Sequence, residues 1–212
     1  MVRVEGSRMD GYQNTGQADG DGDGKGMPGG KAGKVRVISY SMTGNNDAIA
    51  TGIAAELAAE HIKITEPKPR TNGTIALDML FGRTPKVNQR LDNIGDNDLV
   101  VIIGPVWLGH VAAPIRSCLR QLRGRPGQYA FCSISGGADG PNPKLAGDLT
   151  RRVGKAPAAV VDLHIADLLP RDPKPTRAIT SAYRLKDADI KSLTGTIVKA
   201  LRETAIPERR SA

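Results

Sequence analysis

Short apolar runs alternate with longer amphipathic segments along most of the chain, beginning near residue 34. The runs have six or seven residues each, and most are rich in Val and Ile, which is typical of buried β-strands. The segments between the runs carry apolar residues three and four positions apart, which predicts helices with one buried face. Strands are predicted at residues 34–40, 61–66, 99–104, 128–134 and 158–164. Helices are predicted directly after Asn46 and at residues 74–81, 112–122, 142–153 and 186–202, whereas residues 168–180, with three prolines, are predicted to be irregular.

Strands that alternate with helices predict right-handed βαβ crossovers, and therefore an α/β fold with a parallel sheet. The strand at residues 99–104 (LVVIIG) shows no polar alternation, so both of its faces should be covered. We therefore predict a doubly wound, five-stranded parallel sheet with helices on both faces. Ligands of such sheets bind at the carboxyl ends of the strands, where the strand order reverses.

A polar loop at residues 41–46 (SMTGNN) separates the first predicted strand from the first predicted helix. A helix N-terminus presents unpaired N–H groups and a partial positive charge, which together favour a phosphate. Short polar side chains add donors, and a glycine lets the backbone approach a ligand closely. The candidate phosphate ligands are Ser41, Met42, Thr43, Gly44, Asn45 and Asn46.

Two further loops follow the third and fourth predicted strands. The candidate site residues of the second loop are Pro105, Val106, Trp107, Leu108 and Gly109, followed by His110. Those of the third loop are Ser133, Ser135, Gly136 and Gly137. Trp107 is the only tryptophan in a chain with 3% aromatic residues, so its place directly after a strand favours ligand binding over core packing.

The first loop resembles the phosphate-binding signature of flavodoxins, in which Ser/Thr, any residue, Thr, Gly, Asn and Thr follow the first strand. Asn46 stands at the last position of that signature here. The other two loops are similar to those that hold the flavin ring in this family. The resemblance covers residues 34–202 and implies a flavodoxin-like strand order, 2-1-3-4-5, with one non-covalent FMN at the switch point between strands one and three.

The resemblance also implies roles for single residues. Trp107 is expected to stack on one face of the flavin ring, and the N–H groups of the third loop are expected to meet its pyrimidine edge. Many flavodoxins place a tyrosine in the third loop, but this chain has no tyrosine between Phe131 and Tyr183. One face of the ring is therefore expected to be open to a substrate or to another subunit, and an oligomer stays an open alternative.

Electron transfer to or from a redox partner protein is the function that the resemblance implies. The alternative is an NAD(P)H-dependent enzyme that reduces quinone-like acceptors, in which His110 is a weak candidate for a catalytic proton donor. A third class is a regulatory or scaffold domain without flavin. No nucleic-acid partner and no metal site are predicted, since no pair of histidines has the spacing of metal ligands.

The formal charge of +8 favours acidic partners or polyanions through long-range attraction, and differs from flavodoxins, which are usually acidic. Arg116, Arg120 and Arg123 recur at spacings of four and three on the 112–122 helix, which predicts a solvated face. Docking of an acidic partner or of a nucleotide 2′-phosphate is the sharper interpretation of that stripe. The scarcity of acids implies a low-potential flavin couple that is less negative than in acidic flavodoxins.

Several function classes are disfavoured because their motifs are missing. The chain contains no G-x-x-x-x-G-K-[ST] loop, no G-x-S-x-G nucleophile turn and no H-E-x-x-H pair. No apolar run reaches the ~18 residues of a membrane span, and the N-terminus is polar, so a cytoplasmic location is expected. Cys118 and Cys132 are expected to be reduced core residues.

The domain organisation follows from composition. Residues 1–33 are rich in Gly and Asp and have almost no periodicity, which predicts a flexible tail. Residues 34–205 form the predicted flavodoxin-like domain, and residues 206–212 form a short C-terminal tail.

Overall fold

The computed structural model describes residues 33–66, 87–88, 91, 94–95, 98–107 and 109–206. Four predictions fall outside these ranges and are not described further. They are almost all of the N-terminal tail, the helix at residues 74–81, the role of Leu108, and the C-terminal tail beyond residue 206.

Seven strands belong to the described residues. They are β1 (Val35–Ser39), β2 (Glu60–Lys63), β3 (Leu99–Ile103), β4 (Val106–Trp107), β5 (His110–Val111), β6 (Gln128–Ser135) and β7 (Ala159–His164). The main sheet is entirely parallel and has the order β2-β1-β3-β6-β7, which confirms the predicted order 2-1-3-4-5. β4 and β5 form a separate antiparallel hairpin in the stretch predicted to be a loop, with Gly109 at a positive φ of 78° in the turn.

The register of the sheet gives its carboxyl edge two levels. Ser39, Ile103 and Cys132 lie in one row, and β1 and β3 end in that row. β6 and β7 stay paired for three more residues, to Ser135 and His164. At about 3.3 Å per residue, the two strands extend about 10 Å beyond their neighbours.

Within the described ranges, five helices cover the two faces of the sheet or cross its edge. They are α1 (Asn45–Glu56), α2 (Ala113–Leu122), α3 (Leu145–Val153), α4 (Arg177–Ala182) and α5 (Asp187–Thr204). α1 and α5 pack on one face, where Ile53 and Ile197 are fully buried. α2 and α3 pack on the other, where Ile115 and Leu149 are fully buried. Every residue of β3 is buried, as its sequence predicted.

The prediction of an irregular segment at residues 168–180 was wrong in part. A 3-10 helix at Ile165–Leu168 reaches into it, and α4 begins at Arg177. The prolines precede α4 rather than interrupt it, and the side chain of Thr176 caps its start by accepting from the Ile179 N–H at 3.3 Å. A threonine cap directly after the prolines is a signal for a helix start, and the prediction gave more weight to the prolines than to this cap.

The prediction of a solvated arginine stripe on α2 was wrong for Arg116. Its side chain is buried, and its Nε donates to the Val111 carbonyl at 3.2 Å. Arg116 therefore ties the hairpin to α2, whereas Arg120 and Arg123 are exposed as predicted.

Both cysteines are free and buried, in agreement with their prediction as core residues. Burial raises the pKa of each thiol to about 12, so neither is a ready nucleophile. Among the helices of the described ranges, none combines the length and apolar character required to cross a bilayer.

Candidate functional site

A cleft of about 760 Å³ opens at the carboxyl edge of the sheet. Its walls are the β4–β5 hairpin, the loop at residues 136–144 and helix α4. The volume lies within the range of small-molecule sites. The predicted site residues that line the cleft are Val106, Trp107, Gly109, His110, Ser135, Gly136 and Gly137.

The phosphate-loop candidates at residues 41–46, together with Pro105 and Ser133, are not among the lining residues. Ser133 is fully buried inside β6, and its Oγ has no hydrogen-bond partner within the described residues. The 41–46 loop instead reaches the same end of the sheet as the cleft, and its neighbours Tyr40 and Ile134 connect it to the cleft walls.

The N-terminus of α1 keeps several backbone donors unused. Gly44 precedes the helix with a φ of 89° and has no side chain to cap it, whereas Ser41 Oγ accepts a hydrogen bond from the Asn46 N–H at 3.2 Å. Within the described part of the chain, no hydrogen bond uses the backbone N–H groups of Thr43, Gly44 or Asn45. Unused N–H groups at the positive end of a helix are the donors that a phosphate requires.

The two asparagine side chains of this loop are used within the protein. Asn45 donates from Nδ2 to the Tyr183 carbonyl at 3.0 Å and accepts from the Leu185 N–H at 3.1 Å. Asn46 makes the same two-sided contact with the backbone of Ile134. Since both amides are occupied, a phosphate here would meet backbone N–H groups and hydroxyls, rather than the asparagine amides that we expected from sequence.

Trp107 connects the first two loops. Its ring lies edge-on to Tyr40, with centroids 6.2 Å apart and planes at 77°. The indole is half-buried: it packs against the core under α2 and α3 and also lines the cleft. Trp107 therefore packs against the core, and its exposed part is also placed where it could contact a ligand in the cleft.

The two glycines of the third loop are required by close contacts. A Cβ on Gly136 would lie 2.9 Å from Thr180 Oγ1 on α4. A Cβ on Gly137, whose φ is 71°, would lie 2.3 Å from His164 Cβ. These approaches bring α4 and β7 against the loop, so the cleft wall is tightly packed on its far side.

A polar cluster at the end of β7 supports the same loop and was not anticipated from sequence. Asn142 donates to Asp162 Oδ2 at 2.8 Å, and His164 Nε2 lies 3.2 Å from the same oxygen. The hydrogen bond to Asp162 raises the pKa of His164, although burial acts in the opposite direction. His164 was correctly predicted to be a strand residue, but its partner on the loop has no signal in a single sequence.

A second buried cluster contains Ser, His and Asp without the order of a catalytic triad. Ser39 Oγ donates to Asp47 Oδ1 at 2.6 Å and lies 2.8 Å from His61 Nε2. The serine, rather than the histidine, is therefore central, and it has no solvent exposure. Burial, followed by Lys63, lowers the pKa of His61 against the pull of Asp47. This cluster fixes α1 to β1 and β2.

Charged side chains surround the cleft mouth. Arg177 on α4 pairs with Asp139 on the third loop at 2.8 Å, and both are exposed. Lys144 lines the cleft and has no side-chain partner within the described residues. His110 Nδ1 lies 3.9 Å from the buried carboxylate of Asp148.

Sequence reasoning missed Arg177, Thr180 and Ser181 as lining residues because α4 itself was not predicted.

Comparison with known proteins places the fold. No family model and no curated protein matches the chain. A flavoprotein from Lactobacillus acidophilus NCFM, solved in complex with FMN, is similar at 27% identity, with 63% of this chain and 93% of that chain covered and a TM-score of 0.50. A putative flavoprotein from Bacteroides eggerthii is similar at 17% identity, with 77% and 97% covered and a TM-score of 0.54. One from Bacteroides uniformis is similar at 16% identity, with 63% and 90% covered and a TM-score of 0.53.

These neighbours share the parallel sheet described above, and the strand order 2-1-3-4-5 is that of the flavodoxin-like fold. The cleft lies at the carboxyl edge, where ligands of this fold bind. The chain therefore has the flavodoxin-like fold, and the three similar solved structures named above are flavoproteins or putative flavoproteins.

Proposed function

We propose that this protein binds one FMN non-covalently at the carboxyl edge of its sheet and transfers electrons through it. The observation that carries the proposal is the joint position of the α1 N-terminus, where the N–H groups of residues 43–45 are unused within the described residues, and a cleft lined by Trp107, linked through the Tyr40–Trp107 contact. The FMN complex of the Lactobacillus flavoprotein supports the choice of ligand.

The residues present fit the two ends of FMN. The unused N–H groups of Thr43, Gly44 and Asn45 would receive the phosphate, and Gly44 leaves open space because nothing lies within 4 Å of a Cβ built there. Trp107 would cover a face of the ring, and the loop beginning at Gly136 would border its polar edge. FMN would supply the one- and two-electron chemistry, while the protein excludes water and sets the charge around the ring.

Reduction of quinone-like acceptors with NAD(P)H is the second candidate function. Of the described residues that line the cleft, Trp107 is the only Phe, Tyr or Trp, so the lining offers one large stacking surface. His110, exposed in this lining and close to Asp148, would be the proton donor to such an acceptor. A cytoplasmic location, which would supply NAD(P)H, remains part of this proposal.

Titration of the ligand-free protein with FMN and with riboflavin tests the cofactor assignment. Riboflavin has the same ring but no phosphate, so it should bind at least about tenfold more weakly if the α1 N-terminus holds the phosphate. A flavin spectrum near ~450 nm should persist after dialysis with FMN. Failure to bind FMN would select the flavin-free scaffold class, and equal binding of the two flavins would remove the phosphate site.

Steady-state assays of the FMN-loaded protein then separate the two functions. Continuous NAD(P)H oxidation with a soluble benzoquinone supports the enzyme. Absence of NAD(P)H turnover, together with fast reoxidation of the dithionite-reduced protein by a redox protein, supports the carrier.

A further inference from the structure

Among the described helices, positive charge is concentrated in the layer formed by α2 and α3. Residues 99–161 contain eight Lys and Arg and only two acids, a net +6 out of +8 for the whole chain. Of the two helical layers, α1 and α5 together carry three basic and five acidic residues. α2 and α3 together carry four basic residues and one acid. The asymmetry therefore follows the layers of the fold.

Five side chains form what we call the α2–α3 basic face: Arg120, Arg123, Lys144, Arg151 and Arg152. α2 and α3 contact each other, so these basic residues belong to neighbouring helices and their adjoining ends. Arg120, Arg123 and Lys144 are exposed and have no side-chain partner within the described ranges. Arg151 and Arg152 share a single carboxylate, that of Asp148, which is almost fully buried, so the pair keeps a net positive charge.

The face reaches the cleft through Lys144. This residue precedes the first turn of α3 and also lines the cleft. Arg151 lies seven residues further along, which is about 10 Å at 1.5 Å per residue. A partner with a standard footprint of about 800 Å² would therefore cover the arginines and the cleft rim together.

The chemistry of the face favours carboxylates of a protein over other polyanions. Its cations are mostly arginines, whose planar guanidinium pairs with carboxylates and with phosphates in a bidentate way, so the choice between them depends on the other groups of the face. Four of the five described aromatic residues, Tyr40, Trp107, Tyr129 and Phe131, lie in or against the core under α2 and α3, and Tyr183 packs against the core on the α1 and α5 side. None of the five therefore offers the face a stacking platform for unpaired bases. The exposed large apolar side chains of the described residues are Met42 and Ile179, outside both helices, so the face has no apolar group to insert into a membrane.

We propose that the α2–α3 basic face is the docking surface for an acidic redox partner protein, oriented so that the partner also covers the cleft rim. This proposal names the partner class of the proposed electron-transfer function and rests on it in that respect. The attraction is long-range and screened within about 10 Å at 0.1 M salt, so docking is fast and salt-sensitive.

Binding of poly-L-glutamate, an acidic polypeptide, tests the proposal without flavin. The face variant is Arg120→Glu/Arg123→Glu/Arg151→Glu, and the matched control is Lys191→Glu/Lys199→Glu/Arg202→Glu on exposed positions of α5. Both triple variants change the net charge equally, so a difference between them reports the face. At about 50 mM salt, the face variant should bind about tenfold or more weakly than the control.

A second variant, Arg120→Gln/Arg123→Gln/Arg151→Gln, should lose binding to a smaller extent and guards against misfolding, which circular dichroism also checks. Equal losses in the face and control variants would overturn the proposal. So would tighter binding of duplex DNA, or of vesicles with anionic lipid, than of polyglutamate at this face. FMN titration of the same variants is a separate measurement: normal FMN binding with lost polyglutamate binding supports docking, whereas absent FMN binding would count against the cofactor assignment alone.

Discussion

The side-chain amide of Asn46 pairs with both backbone groups of Ile134, donating to its carbonyl and accepting from its N–H, each at 3.0 Å. The contact joins the start of α1 to the end of β6 across 88 residues of sequence. This pair of hydrogen bonds holds the N-terminus of α1, with its unused N–H groups, beside the cleft wall.

Asn46→Ala should therefore destabilise the fold. Two buried backbone groups of Ile134 would lose their partner, and each unsatisfied group costs about 1–3 kcal/mol. We expect the free energy of unfolding in urea to fall by about 2 kcal/mol or more. Asn88→Ala is the matched control, since Asn88 is exposed and its side chain, within the described residues, donates to Thr65 Oγ1 alone, and it should change stability by less than about 0.5 kcal/mol. If the free energy of unfolding fell by no more in Asn46→Ala than in Asn88→Ala, the Asn46–Ile134 contact would not contribute to stability.

How far a single sequence predicts this site can be judged from the same residue. The order of strands and helices was predictable because burial on both faces leaves a run such as 99–104 without polar positions. The position of Asn46 at a helix start was also predictable, because a polar loop is followed there by apolar residues at helical spacing. Its partner was not, because the pairing with Ile134 depends on how two distant elements pack. Arg116 was mispredicted for the same cause, since helical spacing does not reveal that a carbonyl of the hairpin lies over that position.

Trp107 should report FMN binding directly. It is the only tryptophan, so its fluorescence should be quenched as FMN fills the cleft. Trp107→Leu should weaken FMN binding about two- to tenfold, which corresponds to about 0.5–1.5 kcal/mol of lost aromatic contact. Tyr129→Phe, at the opposite end of β6, should leave both the quenching and the affinity unchanged. Unquenched fluorescence at saturating FMN would place the ring elsewhere.

Gly137→Ala should disturb the third loop more than Gly140→Ala. Both glycines have positive φ, so both variants carry similar backbone strain. Only at residue 137 would the new methyl group meet His164, at 2.3 Å, whereas residue 140 has open space. The extra overlap should cost about 1–3 kcal/mol of stability, measured by urea unfolding of both variants. Similar midpoints would show that the loop moves away from β7 without cost.

Protonation of His164 should stabilise the protein. Its folded pKa lies above the ordinary value of 6.5, so its contribution is fully present below about pH 6.5 and is lost as pH rises through the folded pKa. His61 has the opposite sign, because its lowered pKa removes stability as pH falls below 6.5. Urea unfolding between about pH 5.5 and 8.5 separates them: His164→Gln should abolish the loss on the alkaline side, and His61→Gln should relieve the loss on the acid side. A wild-type slope that survives in His164→Gln would assign the titration to another group.

The low-potential couple of bound FMN should be less negative than in acidic flavodoxins. Asp139 and Arg177 at the cleft mouth compensate each other, which leaves Lys144 as an unpaired cation near the site. Lys144→Glu should therefore make the couple more negative, because a nearby negative charge disfavours the reduced anion. Lys191→Glu on α5 is the control for net charge and should have a smaller effect in a spectroelectrochemical titration. A strongly negative couple in the unaltered protein would contradict this prediction.

The difference in length between β6 and β7 on one hand and β1 and β3 on the other also affects how a reactant can reach a bound molecule. Because β6 and β7 rise about 10 Å above β1 and β3, a flat molecule resting on the shorter pair meets a tall barrier on one side. The β4–β5 hairpin contacts β6 and helix α3, so it stands on the same side as that barrier and forms a wall of the cleft. A donor and an acceptor that reach such a molecule through the cleft beside Trp107 would therefore have to bind one after the other.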